Sequence, residues 1–342
     1  MMNKIRRLLA SLLCAASCIV LTGCELDLGF GGAPTIGDYT PLDPPAASQG
    51  EDIGDMMPTV SAALDDLQVI FLDVGQADCT LLHSPDKGLD ILIDGGNRGD
   101  GDDIIAFLEY LGIDDIDIMI ATHPHEDHIG GLPKIISAFD VGIVYMPYVE
   151  EQHMPTTKIY EQFLTAIADN GIPAEVPEEG AYIYDDGELR LRCLYDGHLG
   201  TDDYNTYSLV FRASYGNIDV MLTGDADKEV EEYILDRYDK SELGCEILKA
   251  GHHGSSTASG IDWLKTVSPE IATLPCETGN SYGHPHDITV RNLQGLGIEA
   301  LDMRESGTIM LQCDGLDYSI FTKLTGDYPL GNASYRGKIY LP

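Results

Sequence analysis

The sequence predicts an α/β domain in which two mixed β-sheets pack together with helices on their outer sides. Three observations carry that expectation. The first apolar runs after residue 66 are short and split by turn residues, as in an antiparallel meander. Runs of strand and helix character then alternate toward the end of the chain. Finally, His or Asp stands beside Gly where several apolar runs stop, and strand ends opening into loops can aim side chains at one point. A β-rich start followed by mixed order fits two packed sheets better than one doubly wound parallel sheet.

The elements follow in order. Residues 68–73, 79–83 and 90–93 form the meander. A helix is expected over 104–111, ending near Gly112. Residues 116–121 are apolar enough for a buried strand. Residues 131–139, 142–146 and 157–170 read as helix, strand and helix, the last capped by Gly171. Strands are expected over 188–195, 207–213 and 218–223. The helix over 227–238 has acids in its first turns, as the helix dipole favours. Residues 246–250 make a further strand, and 308–311 and 318–321 are late ones.

The N-terminus has a different character. Lys4, Arg6 and Arg7 precede an apolar stretch over 8–21 that is short for a bilayer span. It ends in Leu21-Thr22-Gly23-Cys24, which resembles a bacterial lipobox. Residues 1–23 are therefore expected to be a lipoprotein signal peptide, with Cys24 lipidated. Residues 24–66 are rich in Gly, Pro and acids and lack hydrophobic periodicity, as a flexible tether would. The folded domain is expected over 67–342, held outside the cytoplasmic membrane by the lipid anchor.

The formal net charge is −37. Such a surface argues against non-specific nucleic-acid binding, which needs Lys and Arg to replace phosphate counterions. Cys79, Cys193, Cys245, Cys276 and Cys313 show no C-x-x-C spacing and read as buried apolar residues, with room for one disulfide.

The most informative segment is Thr122-His123-Pro124-His125-Glu126-Asp127-His128-Ile129-Gly130-Gly131. Neutral His and ionised Asp are the usual ligands of Zn²⁺ and similar ions. An exposed His-rich loop is the plain alternative, but further motifs of the same kind follow. Asp94 closes Leu92-Ile93-Asp94-Gly95-Gly96. Asp225 closes Leu222-Thr223-Gly224-Asp225. Paired His252 and His253 leave the run 246–250, and His284 lies in Ser281-Tyr282-Gly283-His284.

Together these motifs resemble the metallo-β-lactamase superfamily of binuclear metallohydrolases. Within it they resemble the soluble hydrolase domain of the competence-protein ComEC family, over 67 to about 311. The supporting strings also include 72–78 and 205–210. The resemblance implies an αββα four-layer sandwich and two divalent ions, Zn²⁺ or Mn²⁺. His123 and His125 would hold the first ion, Asp127 and His128 the second, and Asp225 both. His252 would complete the second site, with His253 as the fallback. Asp94 would orient a ligand imidazole. Asp127 would also orient the attacking water, and His284 would meet a phosphate oxygen or the leaving group. Many members use a further His as third ligand of the first ion. Here Asn205 and Ser208 occupy that region as site residues, with His198 nearby, and the ligand is left open among Asn205, His198 and water. The membrane channel domain of the family is expected to be absent.

The function expected is a surface-anchored, metal-dependent phosphodiesterase or nuclease-like hydrolase acting on DNA, nucleotides or another phosphodiester. Hydrolysis of a non-phosphate ester or lactam is one alternative, and a non-catalytic lipoprotein binding metal or nucleic acid is another. No protein partner is inferable. Outside the site, Asp73 and Asp78 are expected to fix a tight turn. His83, His153 and His286 read as surface or packing residues, Trp263 as core, and Asp114-Asp115 and Glu231-Glu232 as solvated faces.

Overall fold

A computed structural model describes residues 67–324 and 334–336. The signal peptide, Cys24 and the tether lie outside the described residues. In chain order the strands are β1 (Leu67–Phe71), β2 (Thr80–Ser84), β3 (Leu89–Ile93), β4 (Asp115–Ile120), β5 (Asp140–Tyr145), β6 (Ala174–Glu175), β7 (Tyr182–Asp185) and β8 (Leu189–Tyr195). They continue as β9 (Val210–Tyr215), β10 (Ile218–Leu222), β11 (Ile247–Lys249), β12 (Ile271–Leu274), β13 (Glu299–Asp302), β14 (Thr308–Cys313), β15 (Tyr318–Leu324) and β16 (Ser334–Arg336).

The strands form two sheets. A nine-stranded sheet runs β16-β15-β14-β1-β2-β3-β4-β5-β6, and a seven-stranded sheet runs β13-β12-β11-β10-β9-β8-β7. Both are mixed. The meander β1-β2-β3 is antiparallel, whereas β3, β4 and β5 pair in parallel. In the second sheet β7 to β10 are antiparallel, and β10 to β13 are parallel. Strands β2 and β3 are buried at every position, as expected of strands covered on both faces.

The helices α1 (Gly101–Tyr110), α2 (Glu126–Ile129), α3 (Leu132–Ala138) and α4 (Lys158–Asn170) belong to the first half of the chain. In α1 the buried residues Ile104, Phe107 and Leu108 make one stripe at helical spacing. In α4 the Thr157 hydroxyl accepts from the Tyr160 amide, and Gly171 closes the helix in the left-handed conformation. The second half adds α5 (Lys228–Arg237), α6 (Lys240–Leu243), α7 (Ile261–Val267), α8 (Asp287–Leu296) and α9 (Met303–Ser306). Asp227 caps α5 by accepting from the Glu229 and Val230 amides.

Three apolar clusters separate four layers. One joins the first sheet to α1, α3 and α4 through residues such as Met119, Leu132 and Phe163. A second fills the space between the sheets, with Val69, Ile91 and Ile120 facing Phe211, Val220 and Leu222. The third seats α5, α7 and α8 on the second sheet through Val230, Trp263 and Leu293. The expected sandwich of two mixed sheets with outer helices is therefore the observed architecture.

Several local expectations change. Residues 204–207 form a 3-10 turn rather than the start of the strand expected over 207–213, because the Asp203 side chain accepts from the Asn205 amide and bends the chain. The strand begins at Val210. Asp114 and Asp115 are exposed, as expected, and Trp263 is core. Glu231 is not part of a solvated face. It is 4% exposed, and its carboxylate accepts from the Ser259 and Gly260 amides at 2.5 and 2.8 Å. The five cysteines at 79, 193, 245, 276 and 313 are buried and free, so no disulfide joins them. No helix among the described residues is long and apolar enough to cross a membrane.

Candidate metal centre

The chemistry-bearing loops gather where β3, β4, β10 and β11 end. After β4 the chain runs through Thr122, His123 and Pro124 and enters α2 at once, with Asp127 and His128 in the first turn. Asp94 follows β3 in the left-handed region, at φ 59°. Gly224 follows β10 at φ 49°, where a Cβ would lie 2.9 Å from Thr122 Oγ1, so this close approach of the two sheets requires glycine. After β11, His252 and His253 are both left-handed, at φ 51° and 52°. Such a conformation costs about 1–3 kcal/mol per non-glycine residue and is held only where surroundings over-determine it.

Two groups of donor atoms result. The first comprises His123, His125 and Asp225, and the second Asp127, His128, Asp225 and His253, each with its donors within 4.8 Å of one another. Asp225 is common to both. Its Oδ2 lies 3.3 Å from His128 Nε2, 3.4 Å from His253 Nε2 and 3.9 Å from His123 Nε2. His253 Nε2 is 3.2 Å from Asp127 Oδ2, and His123 Nε2 is 2.9 Å from His125 Nδ1. His123, His128, Asp225 and His253 are buried, whereas His125 and Asp127 are partly open. The centre therefore has a closed base and an accessible side.

Neighbouring groups fix which imidazole nitrogen faces the centre. Asp94 accepts from the Thr122 amide at 2.8 Å, the Thr122 hydroxyl at 2.7 Å and His128 Nδ1 at 2.7 Å. With Nδ1 held by Asp94, His128 directs its Nε2 toward Asp225. His253 Nδ1 donates to the Pro275 carbonyl at 2.9 Å, which directs its Nε2 toward Asp127 and Asp225. Asp94 thus stands where a carboxylate can orient the His128 imidazole.

The residues fit a divalent cation. Buried His128 Nε2 and Asp225 Oδ1 have no hydrogen-bond partner, and an unsatisfied buried polar atom costs about 1–3 kcal/mol. Electrostatics agree. Burial disfavours charge on His128, yet Asp225 and Asp94 outweigh it and raise its pKa well above the ordinary range. Burial likewise works against charge on His253, and Asp225 and Asp78 overcome it. Asp225 shows the converse: despite burial, His253 and His128 hold its pKa well below normal. The pocket thus draws positive charge inward, which metal ions supply in competition with protons.

The geometry separates the remaining candidates. His253, expected as the fallback, lies inside the second donor group. His252 stands outside it, 4.0 Å from Asp225 Oδ2 and partly exposed, with Nδ1 3.0 Å from the Thr257 hydroxyl. His198 is away from the centre, 2.5 Å from Asp196 and 3.6 Å from Glu179. Ser208 is fully buried and accepts from the Asp225 amide at 3.1 Å, so it positions that carboxylate's loop. Asn205 is buried with Oδ1 unpartnered, on the turn whose Tyr204 ring stands 5.6 Å edge-on to His125. Asp78 is no turn residue. It is buried, ion-paired to Lys249 and 3.4 Å from His253 Nδ1. Burial again opposes ionisation, but Lys249 holds the Asp78 carboxyl below its usual range. Asp73 does fix the turn, accepting from the Gly75 amide at 3.3 Å.

Sequence reasoning gave Lys249 no role. Its ammonium is buried, pairs with Asp78, lies 3.6 Å from Asp225 Oδ1 and donates to the Gly224 carbonyl at 2.6 Å. Its place directly before Ala250-Gly251-His252-His253 was the available signal. His284 lies beside the centre. The Gln76 side-chain Oε1 accepts from the Glu277 amide, which turns the Gln76 Nε2 to His284 Nδ1 at 3.2 Å. That nitrogen is then the acceptor, and Nε2 carries the proton. Burial, with His252, His253 and His286 nearby, lowers the His284 pKa to about 4. His284 is therefore a neutral hydrogen-bond donor near pH 7 rather than an imidazolium acid.

Comparison with known proteins agrees with the fold. Residues 72–278 match the family model described as the metallo-beta-lactamase superfamily. The chain is 27% identical over 260 residues to ComE operon protein 3 of Bacillus subtilis, covering 71% of this chain and 32% of that protein. It is 29% identical over 231 residues to Recombination protein 2 of Haemophilus influenzae, covering 66% and 26%. The chain thus spans about a third of the length of these relatives or less. Among solved structures, Igni18, a metallo hydrolase from Ignicoccus hospitalis, is 15% identical with a TM-score of 0.45, covering 71% of this chain and 98% of that one.

Proposed function

The chain belongs to the metallo-β-lactamase superfamily, generally metal-dependent hydrolases, and on that premise we propose that it is a binuclear metal-dependent phosphodiesterase. The observation that carries the reading is Asp225, one carboxylate shared by two His/Asp donor groups. His123 and His125 would hold one ion, and Asp127, His128 and His253 the other. Zn²⁺ and Mn²⁺ are both compatible with N and O donors. The likeness to ComEC-family competence proteins favours phosphodiesters over lactams or other esters.

Bound divalent ions supply Lewis-acid charge that activates water and offsets the negative charge growing on phosphoryl oxygens. This chain's residues do the rest. Asp94, Thr122 and the Pro275 carbonyl keep the two buried imidazoles turned inward. Asp127, on the open side, accepts a hydrogen bond from the attacking water and orients it. His284 offers Nε2–H to a phosphoryl or leaving oxygen. Its neutral state suits donation without proton loss at working pH. Lipidation at Cys24 would hold this site outside the cytoplasmic membrane.

Hydrolysis of bis(p-nitrophenyl) phosphate by the full chain tests the proposal. Turnover is expected with Mn²⁺ or Zn²⁺, none after chelation, and at least about a hundredfold loss in Asp225→Ala. Absence of turnover with every metal, while the ions are still bound, would overturn it in favour of ester or lactam hydrolysis or of a binding role.

A further inference from the structure

We propose that Tyr282 is a stacking platform for a nucleobase next to the scissile phosphate. This inference rests on the phosphodiesterase reading and narrows it to nucleotide substrates. Three rings run outward from the metal centre in near-parallel planes. His253, in the second donor group, and His284 have centroids 6.3 Å apart with 23° between planes. His284 and Tyr282 follow at 5.5 Å, again with 23°. Tyr282 is 67% exposed, so one face rests on His284 and the other meets solvent.

The platform is held in place. Asn280 Oδ1 accepts from the Tyr282 amide at 3.1 Å and from the His284 amide at 3.0 Å. Its Nδ2 donates to the Glu277 and His284 carbonyls. Gly279 and Gly283 supply the left-handed bends, at φ 79° and 76°. An aromatic ring this exposed gains nothing for the core, yet its loop is clamped beside His284, next to the centre. Every base has a flat π-face that stacks on such a ring without sequence preference. Stacking also suits a strongly acidic chain, because it draws affinity from the base rather than from backbone phosphates.

The test is calorimetric binding of thymidine 5′-monophosphate and 2-deoxyribose 5-phosphate to the metal-loaded full chain. Wild type should bind the nucleotide about tenfold more tightly than the sugar phosphate. Tyr282→Ala should remove that preference by weakening the nucleotide alone, and Tyr282→Trp should keep it. Equal affinities in wild type, binding of neither ligand, or equal weakening of both by Tyr282→Ala would overturn the assignment. Binding needs no turnover, so failure here is distinct from failure to hydrolyse bis(p-nitrophenyl) phosphate.

Discussion

Asp94 accepts three hydrogen bonds and thereby sets the tautomer of His128. Removing such an orienting group lowers metal affinity by about 10- to 100-fold in comparable sites. Asp94→Ala should therefore raise the metal dissociation constant by that range in a competition titration, and an unchanged constant would contradict the role. Glu231 offers a second test far from the centre. Burial raises its pKa from 4.5 to about 7 against the pull of the Ser259 and Gly260 amides. Between those values the folded state keeps a proton that the unfolded chain has released. Its contribution thus favours folding below the window and is lost as pH rises through it. Urea midpoints of wild type should fall relative to Glu231→Gln between about pH 5 and about pH 8, and a constant offset would contradict this. Residue identities were legible only where type and spacing recur. Glu231 lies at helical spacing with Asp227, Val230 and Ile234, a pattern that marks a buried stripe, but its acidic neighbour suggested solvent. His252 and His253 are adjacent, so spacing could not rank them. Their two left-handed residues decide which imidazole turns inward.

At the scale of elements, the site exists because strand ends from both sheets meet at close range. The Leu209 amide donates to the Thr122 carbonyl at 3.0 Å, the Asp225 amide to the Ser208 hydroxyl, and Lys249 at the end of β11 pairs with Asp78 from the β1–β2 loop. The ion pair braces one sheet against the other. Removing one member of such a buried pair costs about 3–5 kcal/mol, because the other is left charged and unpaired. Lys249→Met should destabilise by that amount in urea unfolding, and adding Asp78→Asn should recover a large part. A double variant no more stable than the single one would contradict the brace. Strands β1 to β4 were readable from continuous apolar runs, and α1, α4 and α5 from their spacing and caps. The turn at Tyr204–Tyr207 was not, because Tyr207 and Leu209 are apolar and mimic a strand while the Asp203 cap sets the bend. The Asp78–Lys249 pair was invisible for a related reason: two single residues far apart in sequence carry no spacing.

At the scale of the molecule, the three apolar clusters fix the layers, and the layers place the metal centre at one edge of the sandwich. The layer order was legible because a β-meander followed by alternating strands and helices admits few other arrangements. The centre concentrates Asp78, Asp94, Asp127 and Asp225 around one buried ammonium, so its charge balance calls for cations. Metal ions entering it must displace protons from His128 and His253, so binding should release protons and weaken as pH falls. The buffer dependence of the calorimetric binding enthalpy reads that release directly, and a buffer-independent enthalpy would contradict it. The most direct test of a shared two-ion centre is the metal content of the full chain, loaded with Mn²⁺ or Zn²⁺ and desalted at about pH 7.5. Two ions per chain are expected, falling to one or none in Asp225→Ala. A single ion in wild type, or two ions retained without Asp225, would contradict it.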